Sequence, residues 1–316
     1  MKEDAKKKQE LFKKDNAVIK QDYIIKKAKR MQKVDDIIYS SSPFVLALII
    51  QLISSFLGMF IYGIVVAVQG TPDKKLSHID LGEIINTSLT MDASLVISVF
   101  SAIVCIVVFL VWFIKQMKTD DSTIALPPMK FKHILLIVIL GIGLQIGCSY
   151  ILNFIAMVKP NWFYNYGLIM EQLGGGTSIV SLIYIAIIGP ISEELIFRGV
   201  LFNKTKKALP LFLANVQQAF LFGLYHMNII QGVYAFIIGM VLGSVCYGFK
   251  SIYPAIILHV IINICGLLLG QITIDEQYQT PLVFSIIIII SLISIVISMF
   301  MLKRDYALKG DAIVRD

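Results

Sequence analysis

Long apolar runs separated by short polar breaks dominate the chain. They fall at about 43–68, 93–114, 133–157, 177–202, 211–228, 230–249, 252–269 and 281–302. Most approach the roughly 20 residues an α-helix needs to cross a hydrocarbon layer about 30 Å thick. The pattern predicts an all-α, polytopic membrane protein of about eight transmembrane helices. The polar positions inside helices four, five and seven predict a buried polar cavity between them. Four stretches follow: a basic cytoplasmic tail at 1–36, N-terminal helices and loops at 37–176, a core at 177–270 that holds the membrane-embedded polar residues, and a last helix with a cytoplasmic end at 271–316.

Composition agrees with the pattern. Of 316 residues, 57% are hydrophobic and only 16% charged, with mean hydropathy +0.79, a balance no soluble domain shows. The first apolar run begins after some forty polar and basic residues, too deep for a secretory signal peptide, so it is expected to be retained. The four cysteines, Cys105, Cys148, Cys246 and Cys265, all lie inside apolar segments and are expected to be free thiols.

The net charge of +7 is distributed by topology. With the N-terminus inside, 24 of the 28 Lys and Arg fall on the inner side, three (Lys74, Lys75 and Lys159) on the outer side, and Arg198 within the membrane. This follows the positive-inside rule for eight helices with both termini in the cytoplasm of a cell-membrane protein, and basicity here gives no reason to invoke nucleic acid. Residues 1–36 suit either a helix lying on the anionic inner leaflet of the lipid bilayer or a solvated extension. The outer loops at 69–92 and 158–177 are polar and aromatic, and Gly174, Gly175 and Gly176 suit a hinge.

Residues 189–199, GPISEELIFRG, place Glu193, Glu194 and Arg198 inside the fourth apolar run. Each charge costs about 2.5–3.5 kcal/mol at a lipid-facing helix centre, so the three must face the protein interior. Glu194 and Arg198 stand at i and i+4, with the acid on the favourable N-terminal side, which predicts a neutralising pair. Glu193 points about 100° away and is less compensated, as suits a general base or acid. His226 lies near the end of the fifth run, and His259 and Asn263 are i and i+4 on the seventh. A carboxylate and an imidazole can hold and deprotonate water, while a second imidazole and a carboxamide donate to the oxyanion formed when that water attacks an amide. The same Glu193, His226 and His259 are also a candidate open zinc site, although no HExxH accompanies them. Protein-only catalysis is preferred, with no cofactor.

The series Glu193-Glu194-x-x-x-Arg198, Phe222-x-x-x-His226 and His259-x-x-x-Asn263 resembles the motifs of the CPBP family, the CAAX proteases and bacteriocin-processing enzymes also called Abi proteins. The resemblance covers roughly 180–268 and implies a glutamate-type intramembrane endopeptidase acting on a peptide or membrane-protein substrate. It implies that Glu193 and His226 activate water, that His259 and Asn263 stabilise the oxyanion, that Glu194 and Arg198 support them, and that Phe222 packs. Substrates in the family are prenylated C-termini, or bacteriocin and signal-peptide precursors. Two readings from other classes are a proton-coupled transporter, for which internal repeats would be expected, and a non-catalytic immunity or regulatory membrane protein.

Helix rise raises one geometric difficulty. Counted from Pro210, His226 stands about 24 Å along the fifth helix, deeper than Glu193 counted from Lys204. The expectation is that residues 208–216 run along the interface, so that the helix starts later, and that Gly189-Pro190 bends the fourth helix.

Overall fold

The computed structural model describes residues 26–28, 30–69, 91–119, 124, 129–161, 163, 167–168, 178–270 and 280–313. Most of the basic tail, the polar part of the 69–92 loop and the Gly174–Gly176 hinge lie outside the described residues. Eight long helices account for most of the rest: α1 (Ser42–Gln69), α2 (Met91–Lys118), α3 (Phe131–Val158), α4 (Ile179–Ala208), α5 (Leu211–Tyr225), α6 (Ile229–Phe249), α7 (Tyr253–Gly270) and α8 (Pro281–Ile313). No strand occurs among the described residues. Residues 30–40 are also helical and lead into α1.

Six helices are long and apolar enough to cross a membrane, so the chain is a multi-pass membrane protein. The exceptions are α5 and α7, of 15 and 18 residues. At 1.5 Å per residue they reach about 22 and 27 Å, less than a full hydrocarbon layer. Both carry residues of the motif series. The four cysteines are unbridged, and three of them are buried.

Helix ends follow local chemistry. Pro210 holds Leu209 extended (φ −128°, ψ 151°) and ends α4. Asn228 caps α6 by accepting hydrogen bonds from the backbone N–H groups of Ile230 and Gln231 at 2.9 and 3.2 Å. Lys250 closes α6 in the left-handed region at φ 50°.

The α5–α6 hairpin is the closest approach in the core. A Cβ added at Gly223 would lie 2.6 Å from the Gly232 carbonyl oxygen, and one at Gly239 3.1 Å from Ala219. Small residues let two backbones approach, and polar side chains then join the helices. Asn215 donates to Met240 O at 2.9 Å and to Ser244 Oγ at 3.1 Å, while Gln218 donates to Gly239 O at 2.9 Å and to Asn215 Oδ1 at 2.7 Å. Elsewhere α3 packs against α7 and α8, and α1 against α2.

These contacts correct the expected interfacial stretch at 208–216. Helix α5 starts at Leu211, directly after the Pro210 turn. Asn215 and Gln218 bond toward α6, and Gln217 donates to Ser41 Oγ at 2.9 Å near the start of α1. The depth difficulty disappears when both arms are counted from the shared turn. Glu193 stands fifteen residues before Ala208 and His226 fifteen after Leu211, so an ordinary helical hairpin sets them level.

Just before Gly189-Pro190 the fourth helix carries a widened turn. Residues Tyr184–Ile188 form a π-helical turn, and the Gly189 N–H donates to the Tyr184 carbonyl five residues back. The next donor in that register would be residue 190, a proline with no N–H. The Ile185 carbonyl is therefore left for a side chain, and Asn263 Nδ2 of α7 donates to it at 2.8 Å. A second π-helical turn, Leu195–Leu201, follows, so Glu193 and Glu194 sit on a short α-helical step between two widened turns.

Candidate active site

Glu194 is the centre of a buried polar cluster. Its Oε1 accepts from Arg198 Nη1 at 2.9 Å and from His259 Nδ1 at 2.8 Å, and both Glu194 and Arg198 are fully buried. The predicted i, i+4 pair is thus present. Arg198 also donates from Nη2 to the Gly239 carbonyl at 3.3 Å and lies 4.4 Å from the centre of the Phe222 ring. Two atoms, Glu194 Oε2 and Arg198 Nε, have no hydrogen-bond partner among the described residues.

Glu193 points to a different environment. Its side chain is 20% exposed, and its Oε2 lies 3.6 Å from His259 Nε2. His259 is therefore held between the two acids, by a hydrogen bond on one nitrogen and a looser ionic contact on the other. Phe222 packs edge-on against both His226 and His259, at 5.0 and 5.7 Å between ring centres. His226 Nδ1 lies 2.9 Å from the Phe222 carbonyl. A carbonyl only accepts, so Nδ1 carries the hydrogen and donates, which leaves Nε2 as the ring nitrogen outside that bond.

Glu193 and His226 line one cavity of about 280 Å³. Its other walls come from Gln51 and Ser55 of α1, Ser98 and Ser101 of α2, and Tyr184 of α4. Neither His259 nor Asn263 lines it: His259 approaches Glu193 from α7, and Asn263 of the same helix is engaged with the Ile185 carbonyl. The walls thus come from α1, α2, α4 and α5, where the sequence pointed to helices four, five and seven.

Sequence reasoning missed three features here. Glu194 holds His259 as well as Arg198. Asn263 is tied to the carbonyl freed by Pro190, a link that the Gly-Pro pair inside a helix could have signalled. Cys105 of α2 lies within hydrogen-bonding reach of Ser192 and Tyr225, the neighbours in sequence of Glu193 and His226. Among the described residues no group of three His, Cys, Asp or Glu side chains stands at metal-holding spacing. His133, outside this site, is buried at the start of α3 and bonds Asp305 at 3.0 Å.

No curated protein and no solved structure matches the chain. Residues 175–265 match the family model described as type II CAAX prenyl endopeptidase Rce1-like. That segment carries all seven motif residues from Glu193 to Asn263. At family level the match supports a CAAX-type intramembrane protease. By this match residues 175–265 form a domain similar to the Rce1-like type II CAAX prenyl endopeptidases, consistent with the CPBP resemblance.

Proposed function

We propose that the chain is an intramembrane endopeptidase that hydrolyses a peptide bond with water activated by Glu193 and His226. A water in their shared cavity gives one proton to the Glu193 carboxylate while its remaining O–H donates a hydrogen bond to His226 Nε2, and the resulting hydroxide attacks the scissile carbonyl. The resulting oxyanion is held by His259 and Asn263. His259 would donate from Nε2, the nitrogen that lies 3.6 Å from Glu193 Oε2. Asn263 has two N–H groups on Nδ2, and Ile185 uses one of them. Collapse breaks the C–N bond, and the proton on Glu193 passes to the leaving nitrogen. General acid–base transfer contributes about 10²–10⁴ in rate, and an oxyanion donor about 10²–10³.

The observation that carries this reading is the asymmetry of the acids. Glu194 is buried and doubly engaged, whereas Glu193 opens on the cavity that His226 also lines. Zinc held by Glu193, His226 and His259 would need all three side chains around one point, which the described geometry does not supply, so no step is routed through a metal. The family match and the motif resemblance suggest as substrates prenylated C-terminal peptides, or bacteriocin and signal-peptide precursors. Cytoplasmic termini in the cell membrane follow from the charge split.

The test is cleavage of both peptide classes by detergent-purified protein, wild type against Glu193→Gln, with and without a strong zinc chelator. Loss in the variant together with survival under chelation is expected. Loss under chelation with recovery on adding zinc would move the histidines to ligand roles. An unimpaired Glu193→Gln variant would end the proteolytic assignment.

A further inference from the structure

The cavity has a second wall that the motifs do not explain. Leu48, Gln51, Leu52 and Ser55 line it from α1, and Ile97, Ser98, Ser101 and Ala102 from α2, all outside the segment matched by the family model. Two of these polar groups lack a partner. The Gln51 carboxamide is half-buried and the Ser101 hydroxyl is only 5% exposed, and neither side chain has a hydrogen-bond partner among the described residues. Neighbouring serines are satisfied: Ser55 Oγ donates to Gln51 O and Ser98 Oγ to Ser94 O, each at 2.8 Å. A free amide and a free hydroxyl at membrane depth, facing a cavity that holds Glu193 and His226, call for a polar occupant.

The chemistry of the opposite wall says what kind. A peptide bond offered to Glu193 and His226 must be free of a helix's own packing, so the substrate is unwound where it meets the cavity. An unwound peptide in a membrane needs its exposed N–H and C=O groups satisfied. Gln51 on α1 and Ser101 on α2 line the same cavity as Glu193 and His226, so an extended peptide seated there can bond to both.

We propose that the α1–α2 wall is the docking strip for the substrate, an extended peptide, and that Gln51 and Ser101 bind its backbone opposite Glu193 and His226. This rests on the proteolytic reading, and one part of its test does not depend on cleavage. A pool of benzophenone-bearing apolar peptides is photo-crosslinked to Glu193→Gln protein in detergent, and the attachment sites are mapped by mass spectrometry. Crosslinks are expected on residues 48–55 and 97–102, reduced severalfold by Gln51→Met, which keeps the volume and removes the amide. In the cleaving enzyme Gln51→Met and Ser101→Ala should each raise KM by about 2- to 10-fold, the range of one net hydrogen bond, while changing kcat less than twofold.

Crosslinks confined to other helices, their absence, or insensitivity to Gln51→Met would overturn the docking strip, even if wild-type protein cleaves. Crosslinks on the strip with no cleavage by wild-type protein would keep the strip and end the proteolytic reading. A fall in kcat with unchanged KM would assign Gln51 to the chemistry and also refute the proposal.

Discussion

Replacing Glu194 by Gln should destabilise the protein more than replacing Arg198 by Met, although each breaks the same ion pair. Both side chains are fully buried, and removing one member of such a pair costs about 3–5 kcal/mol because a charge is left without compensation. The two survivors are not equivalent. After Arg198→Met, Glu194 keeps the His259 Nδ1 hydrogen bond at 2.8 Å, and a carboxyl group can also take up a proton. After Glu194→Gln, the guanidinium keeps only the Gly239 carbonyl, the amide oxygen and the Phe222 face, and it cannot deprotonate. Glu194→Gln is therefore assigned the full 3–5 kcal/mol, and Arg198→Met about 1–3 kcal/mol. With about 2.1 cal/mol/K of unfolding entropy per residue over 316 residues, the larger loss lowers Tm by about 4.5–7.5 °C. The assay is thermal unfolding of detergent-purified variants followed by circular dichroism, completed as a cycle with the double variant. The double variant should lose less than the sum by about 1.5 kcal/mol or more, since it leaves no lone charge. Additive losses, or a larger drop for Arg198→Met, would refute the reasoning.

Four further outcomes follow from the same geometry. Glu193→Gln should abolish cleavage while leaving Tm within about 2 °C, because the side chain faces the cavity and makes one contact at 3.6 Å; a large Tm loss would assign Glu193 to structure. Asn263→Ala should cost about 1–3 kcal/mol by orphaning the Ile185 carbonyl, and much less in a Pro190→Ala background, where the restored N–H can reach that carbonyl; a denaturation cycle without coupling would contradict the link. Gly243→Ala should lower stability by about 1–3 kcal/mol in the same assay, since its methyl would collide with Asn215 Oδ1 and lie 2.6 Å from Gln218 Nε2. Lys250→Gly should raise stability by about 1 kcal/mol, because φ 50° costs an L-residue about 1–2 kcal/mol and glycine little; an unchanged Tm would count against strain there.

The apolar runs made the all-α membrane class legible, because the need for about 20 apolar residues per crossing writes itself along the chain. The Glu194–Arg198 pair was legible for a similar reason, since a local i, i+4 contact follows from helix geometry alone. Long-range placement was not. Measuring His226 and Glu193 from different ends made them look offset, and only the Pro210 turn supplied the common origin. Asn215 and Gln218 read as interfacial because their partners, Met240, Ser244 and Gly239, lie 21 to 29 residues away on a helix whose facing side no local pattern reveals. The α1 and α2 walls stayed invisible because Gln51 and Ser101 are ordinary polar interruptions until the cavity beside them is known.

What the sequence does set, by making Glu193 and Glu194 adjacent, is a division of roles. Neighbouring residues on a helix point about 100° apart, so the two carboxylates cannot share an environment. One faces Arg198 and the interior, where burial demands that its charge be matched; the other faces the cavity, where it is 20% exposed. The widened turns on either side leave this step short, and Asn263 pins the first of them to α7, the same helix that brings His259. His259 meets both acids from a helix that this hydrogen bond ties to α4 and that packs on its other side against α3. The proline that removes a backbone donor thereby supplies the anchor for the opposing face of the site.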